Sequence, residues 1–315
     1  MAAHPSEMSR SVYITGVSGF IGLHTAKMFA DDNFAVIGID QRPLEPSDLC
    51  KHGISHFVKT SCVLESLNQI ASEHGRPSVI VHCAGSASVQ MSFEDPRADF
   101  MSNVMTTVDV LEYARVNQTV RVVVPSSAAV YGAVSTIPLD EEGAVRPVSP
   151  YGVHKLLAEQ LCRSYGASFG VAAACVRLFS VYGAGLRKQL LWDACNKADA
   201  HNFKFFGTGD EVRDWLHVVD AARLLRLAAG WASPQCPIVN GGTGIGISIR
   251  EILSRIGKHW QPSLVPIFSG QERRGDPQRY IADTRLGARL GFTATINLDE
   301  ALLEYVEWFK KERGL

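Results

Sequence analysis

Tyr151 and Lys155 stand four residues apart in Tyr151-Gly-Val-His-Lys155, a spacing that puts both on one face of a helix. An ammonium beside a phenol favours the phenolate and lowers the tyrosine pKa from about 10 toward neutrality. Tyr151 is then a candidate general base or acid. A tyrosine and a lysine at this spacing also occur on ordinary helix surfaces, so the pair gains weight only beside a third group. Ser127 is that group: it closes the apolar run 121–127, and a serine at the end of such a strand can hydrogen-bond a ligand hydroxyl or carbonyl.

A second constellation suits phosphate. Thr15-Gly16-Val17-Ser18-Gly19-Phe20-Ile21-Gly22 follows an apolar run and opens a helical pattern. Gly16 permits a tight turn, Gly19 lets backbone approach a pyrophosphate, and Gly22 lets the helix pack on the strand. The free N–H groups and positive dipole end of that helix attract an anion. Asp40 ends the next apolar run, 18 residues after Gly22, where a carboxylate accepts from an adenosine ribose. That favours NAD over NADP. Arg42 leaves NADP open, as a guanidinium able to reach a 2′-phosphate or simply a solvated one.

These residues need a scaffold that brings strand ends together. Runs at 11–16, 34–40, 79–85, 121–127 and 172–180 read as buried strands. Helical patterns at 20–31, 63–74, 97–116 and 151–169 alternate with them. Alternation of this kind predicts an α/β fold, a doubly wound parallel sheet of Rossmann type, covered on both faces. After residue 183 the alternation weakens, with helices expected at 187–200, 218–231, 249–259 and 299–310. The expected division is a dinucleotide-binding domain over 10–183, with returning segments at about 208–240. A smaller α+β substrate lobe over 184–315 interleaves with it. Segment 185–192, with Arg187, Lys188 and Gln189, falls in that lobe.

Composition narrows the class. The chain has 315 residues, 46% of them apolar and 20% charged, which fits a globular protein with a sizeable core. Lys and Arg number 31 against 32 Asp and Glu, so nothing supports a nucleic-acid or membrane-surface partner. No apolar run reaches membrane-spanning length, and residues 1–10 are polar, unlike a signal peptide. Seven cysteines lie far apart with no metal-binding spacing. They read as reduced thiols of a cytoplasmic protein, with no metal site.

Taken together, the motifs resemble the extended short-chain dehydrogenase/reductase family, the nucleotide-sugar epimerases and dehydratases, over about residues 10 to 295. Besides the glycine loop, His82-Cys83-Ala84-Gly85 is similar to the family's strand-end segment beside the cofactor. Asn103-Val-Met-Thr106-Thr resembles an Asn-Val-x-Gly-Thr motif, with Thr106 in place of Gly. Ser127 falls at the catalytic Ser or Thr, and Tyr151 and Lys155 match the catalytic pair. Arg177-Leu-Phe-Ser180-Val-Tyr-Gly183, Arg213-Asp214-Trp215-Leu-His217-Val-Val-Asp220 and Arg273-Arg-Gly-Asp276 resemble three later family segments. The resemblance implies that Tyr151 exchanges a proton with a sugar hydroxyl and Ser127 holds that oxygen. Lys155 would bind the nicotinamide ribose and tune Tyr151. Gly16, Gly19, Phe20, Ile21, Gly22, Asp40, Ala84 and Asn103 would join Tyr151 and Lys155 in holding the cofactor. Arg213 and Arg273 would face the diphosphate of a nucleotide sugar. Ser180 would touch substrate, while Asp214 and His217 would order their segment. The helices at 97–116 and 151–169 would form a homodimer through a four-helix bundle.

Departures from the pattern shape the function. Thr60-Ser61-Cys62 lacks the family's usual adenine-contacting Asp, and Ser180 replaces the usual Asn. Where dehydratases carry an acid and a base before Val-Tyr-Gly, this chain has Ala128-Ala129, which cannot transfer protons. A 4,6-dehydratase is therefore rejected. The expected activity is an NAD-dependent nucleotide-sugar epimerase that transiently oxidises a ring hydroxyl, at carbon 4. The alternative is an NAD(P)H-dependent reductase of a 4-keto-(6-deoxy) nucleotide sugar. A non-catalytic binding protein on the same fold is the third class, opposed by the intact Ser127, Tyr151 and Lys155.

Overall fold

The computed structural model describes residues 10–118, 120–133, 137–271 and 278–315. The first half alternates strand and helix: Ser11–Thr15 (β1), Phe20–Asp31 (α1), Ala35–Asp40 (β2), Pro46–Lys51 (α2), Ile54–Lys59 (β3), Leu64–His74 (α3) and Val79–His82 (β4). Val89–Glu94 (α4), Pro96–Phe100 (α5) and Thr106–Val116 (α6) lead to Arg121–Ser127 (β5), Pro150–Phe169 (α7), Ala173–Leu178 (β6) and Ser180–Tyr182 (β7). The second half holds Gln189–Asp199 (α8), Lys204–Phe205 (β8), Val212–His217 (β9), Val218–Trp231 (α9), Ile238–Gly241 (β10), Gly246–Ser248 (β11) and Ile249–Trp260 (α10). Ile267–Phe268 (β12), Arg279–Tyr280 (β13), Arg285–Arg289 (α11) and Leu298–Arg313 (α12) follow.

Seven strands form one parallel sheet in the order β10-β6-β5-β4-β1-β2-β3. Alternation along each strand divides its side chains between two cores. Val12, Ile14, Val36, Val81, Val123 and Val176 face α1 and α9. Tyr13, Ile37, Ile80, Val122, Val124 and Cys175 face α3, α6 and α7. The strand order reverses between β1 and β4, and in such a sheet ligands bind at the carboxyl ends beside that point. The lobe has its own core, rich in aromatics: Phe203, Phe205, Trp215, Tyr305 and Phe309. Its small sheet runs β11-β9-β13, and β7 also pairs with β9.

Three elements depart from the expected pattern. The run at 172–180 is two strands, because Phe179 donates its N–H to Gly241 O while Ser180 onward pairs with β9. The helix at 97–116 is interrupted by a π-helical turn at Met101–Met105. There, Asn103 Nδ2, Thr106 Oγ1 and Thr107 Oγ1 donate to the carbonyls of Asp99, Ser102 and Asn103, competing with the backbone ladder. Strand β3 escaped the pattern because it is the sheet edge, with Ser55 and His56 exposed and no continuous apolar run.

A buried ion pair fixes α7 on the sheet. Glu159 of α7 accepts from Arg177 of β6 through Nε (3.0 Å) and Nη2 (2.8 Å), and from Ser126 Oγ of β5 (2.5 Å). Arg177 Nη1 also donates to Tyr131 Oη and Glu141 O, and Tyr131 Oη donates to Asn240 Oδ1. Removing one partner strands the other charge in the core. Glu159→Ala should lower the unfolding free energy by about 3–5 kcal/mol, read from urea denaturation. A loss below about 1 kcal/mol would contradict this role.

Candidate active site

At the carboxyl ends of the sheet lies a cleft of about 1250 Å³, walled on the far side by the lobe. The turn after β1 forms its floor. Gly16 has φ +67°, and a Cβ there would meet the Cys83 and Ala84 backbone at 2.5–2.6 Å. A Cβ on Gly22 would lie 2.4 Å from Gly16 O, so helix and strand pack this closely only with glycine. Gly19 caps α1 without a side-chain hydrogen bond, so first-turn N–H groups face the cleft beside Phe20, Ile21 and Gly22. Asp40 ends β2 beside this turn. Its carboxylate accepts from Ser18 N (3.0 Å) and Arg42 N (2.9 Å), and the exposed Arg42 guanidinium folds back onto it at 3.4 Å. This cradle, uncapped amides with a carboxylate at the next strand end, fits a dinucleotide.

The wall beside the turn is held by a directed hydrogen-bond chain. Ala84 N donates to Thr15 Oγ1 (3.2 Å), which leaves the Thr15 hydroxyl proton for His82 Nδ1 (2.8 Å). His82 Nε2–H then donates to Thr106 Oγ1 (3.1 Å), whose proton goes to Ser102 O (2.6 Å). Every group has one role, so His82 is neutral with its proton on Nε2. Burial, and then the Lys155 charge, push its pKa down to about 3. The Thr106 that replaces glycine in the motif is thus a working member of this chain. Asn103 sits behind Gly85 rather than on the cleft surface, its Oδ1 buried without a partner among the described residues.

Ser127, Tyr151 and Lys155 meet on the opposite wall. Ser127 ends β5, and its Oγ accepts from Ala129 N (3.2 Å) at the start of the Ala128–Val130 turn. Ser149 caps α7 through Gly152 N, and Ser92 of α4 accepts from Tyr151 N, which fixes the first turn. The expectation of a lowered tyrosine pKa is corrected here. Burial pushes Tyr151 up to about 12, against the hydrogen bond from Ser127 that draws it down. Lys155 does not offset this, because its Nζ donates to Pro125 O (3.1 Å) and lies 5.8 Å from the Tyr151 ring centroid. Burial also lowers the Lys155 pKa.

The lobe supplies the remaining wall. Ser180 of β7 and Arg213 of β9 line it, with Arg213 5.8 Å from the Tyr280 ring centroid. Asp214, by contrast, is wholly buried and accepts from Thr243, Gly244 and Ala282 N–H groups, an ordering role. Arg273 falls outside the described residues. Sequence reasoning missed Phe179, Trp215 and Tyr280 as lining residues. Trp215 Nε1 is buried with no partner among the described residues, a donor left for a polar ligand. The aromatic in the Arg213–Asp220 motif was its only signal. Lys188 also lines the cleft, its pKa lowered by burial and by the nearby Arg42.

The chain is similar to known proteins over most of its length. The model of the NAD dependent epimerase/dehydratase family matches residues 12–240. A UDP-glucose 4-epimerase of Mycolicibacterium smegmatis is 30% identical over 320 residues, covering 95% of this chain and 98% of that one. The UDP-glucose 4-epimerase of Brucella ovis, solved in complex with NAD, is 30% identical with a TM-score of 0.83, covering 93% and 96% of the two chains. That of Thermotoga maritima, solved with UDP-glucose, is 25% identical with a TM-score of 0.87, covering 96% and 99%.

The neutral histidine sets a pH dependence. The unfolded value is about 6.5 and the folded value of His82 is about 3; that of His24, also lowered by burial, is about 4. Between these values the unfolded chain binds protons that the folded chain does not. Stability should therefore fall as pH drops below about 6.5, by up to about 1.4 kcal/mol per unit for each histidine. Urea midpoints measured from about pH 7.5 to about pH 5 test this, and a flat profile would contradict a neutral His82.

Proposed function

Since the chain belongs to the NAD-dependent epimerase/dehydratase family, we propose that it is an NAD-dependent nucleotide-sugar 4-epimerase acting on a UDP-linked sugar. The observation that carries this reading is the meeting of Ser127, Tyr151 and Lys155 across the cleft from the glycine turn, with Ala128 and Ala129 on the same wall. The names of the relatives, UDP-glucose 4-epimerases, support the nucleotide and the ring position. The turn from Gly16 to Gly22, with Asp40 and Ala84, would hold NAD, and Asn103 would support it from behind Gly85. Bound NAD supplies the acceptor, and later the donor, of a hydride.

The chain's own residues handle the proton and the sugar. Ser127 Oγ holds the carbon-4 oxygen, and Tyr151 removes its proton as the hydroxyl becomes a ketone. The keto sugar turns, and Tyr151 returns the proton once hydride arrives on the other face. Tyr151 rests as a phenol, so its work as a base requires positive charge closer than Lys155 now stands. Lys155 released from Pro125 O is the cation α7 provides for this, and it also binds the nicotinamide ribose. Arg213 faces the diphosphate, where forked guanidinium donors suit phosphate oxygens. Ser180 and Trp215 flank the same wall. Alanines at 128 and 129 leave no acid–base pair for eliminating water.

The exposed apolar side chains Met101, Met105, Val116, Val153 and Phe169 on the α5–α6 and α7 faces support a homodimer through a second copy of these helices. Among the described residues no helix is long and apolar enough to cross a membrane. The seven free thiols and the cofactor fit a cytoplasmic enzyme.

Purified protein should convert UDP-glucose to UDP-galactose without added reductant, and Tyr151→Phe should lose at least about 100-fold in kcat. Product that forms only with stoichiometric NADH or NADPH would establish the reductase, and near-normal Tyr151→Phe turnover would remove the proton role. Light scattering should give twice the 34.3 kDa chain mass. Val153→Glu with Phe169→Glu should halve that value, and an unchanged mass would exclude this face.

A further inference from the structure

The seven cysteines have no metal-like spacing in sequence, yet the fold gathers three of them. Cys162 lies on the sheet-facing side of α7, Cys175 on β6, and Cys236 just before β10. Their sulfurs all lie within 4.8 Å of one another, with Cys175 to Cys236 at 3.8 Å. All three are wholly buried, and none is in a disulfide. Cys236 has φ +47°, in the left-handed region that side chains other than glycine rarely adopt. Backbone strain at a single residue persists where its surroundings over-determine it, and here it delivers a thiol to the cluster.

The spacing matches a known coordination chemistry. Three sulfurs each about 2.3 Å from a central ion in one plane lie about 4.0 Å apart. The Cys175–Cys236 pair, at 3.8 Å, is close to that spacing, and no pair of the three exceeds 4.8 Å. Among the described residues no His, Asp, Glu or fourth Cys joins the group, so it does not complete a tetrahedral structural zinc site. Thiolates select soft cations.

We propose that Cys162, Cys175 and Cys236 form a buried three-thiolate site for a soft d10 cation, of the class to which Cu(I), Zn(II) and Cd(II) belong. Binding breaks three S–H bonds, releases three protons to solvent and forms three metal–sulfur bonds, with no change of oxidation state. With a divalent ion the complex carries one net negative charge. Arg163 lies within electrostatic range of Cys236, and Lys155 within range of Cys175. The ion would tie α7 to β6 and to the segment ahead of β10, a link independent of the proposed epimerase chemistry.

The test is titration of the reduced, full-length protein with Cd(II) under anaerobic conditions. Expected are one ion per chain, a sulfur-to-cadmium charge-transfer band in the ultraviolet, release of three protons per ion and a rise in Tm. Cys162→Ser and Cys236→Ser should each abolish the stoichiometric band. Cys195→Ser, at a buried cysteine outside the cluster, should leave it intact. If Cys236→Ser does not fold, Cys175→Ala serves as the second cluster variant. No band in folded wild-type protein overturns the proposal. So does a band that survives Cys162→Ser.

Discussion

The Glu159–Arg177 pair is the constraint on which the site depends. Helix α7 presents Tyr151, Lys155, Glu159 and Cys162 along one sheet-facing stripe. Apolar packing alone would allow that stripe to slide along the sheet at small cost. The bidentate pair with Arg177, and the Ser126 hydroxyl on the same carboxylate, give the helix one register. Because Ser126 adjoins Ser127, the same interaction sets where the strand-end serine stands relative to Tyr151. A buried pair of this kind adds little net stability over an apolar replacement. Its consequence here is positional.

Among the described residues, the charged side chains that line the cleft this register creates are Asp40, Arg42, Lys155, Arg187, Lys188 and Arg213. His82 is neutral, Tyr151 is a phenol, and Asp40 is held by Ser18 N and Arg42. Low dielectric makes each charge that enters the cleft act strongly on its neighbours. A phenol whose pKa is raised by burial is therefore sensitive to the position of one ammonium, which Pro125 O now holds.

Much of this was legible in the sequence, for physical reasons. Buried central strands leave continuous apolar runs, so β1, β2, β4, β5 and β6 were visible, and glycines packed against backbone left the turn from Gly16 to Gly22. The edge strand β3 left no such run, and the two-residue strands of the lobe are too short for any periodicity. The break at Phe179 depends on a partner strand far along the chain. The Tyr151–Lys155 spacing was correctly placed on one helix face, but the sign of the tyrosine shift was not. Spacing says which groups are near, while desolvation and the competing carbonyl of Pro125 appear only in three dimensions. The gathering of Cys162, Cys175 and Cys236 was invisible for the same reason.

The chain crosses between the large sheet and the lobe several times, and the crossings are short. Only Phe179 separates β6 from β7, and β9 runs into α9 with no loop between His217 and Val218. Leu216 of β9 packs in the same core as α9 and the central strands. A rigid-body swing of the lobe thus has no single hinge axis. Any such swing would shear a shared core and bend a continuous strand–helix junction. A ligand in the cleft therefore lies between two walls that the chain ties together at several points.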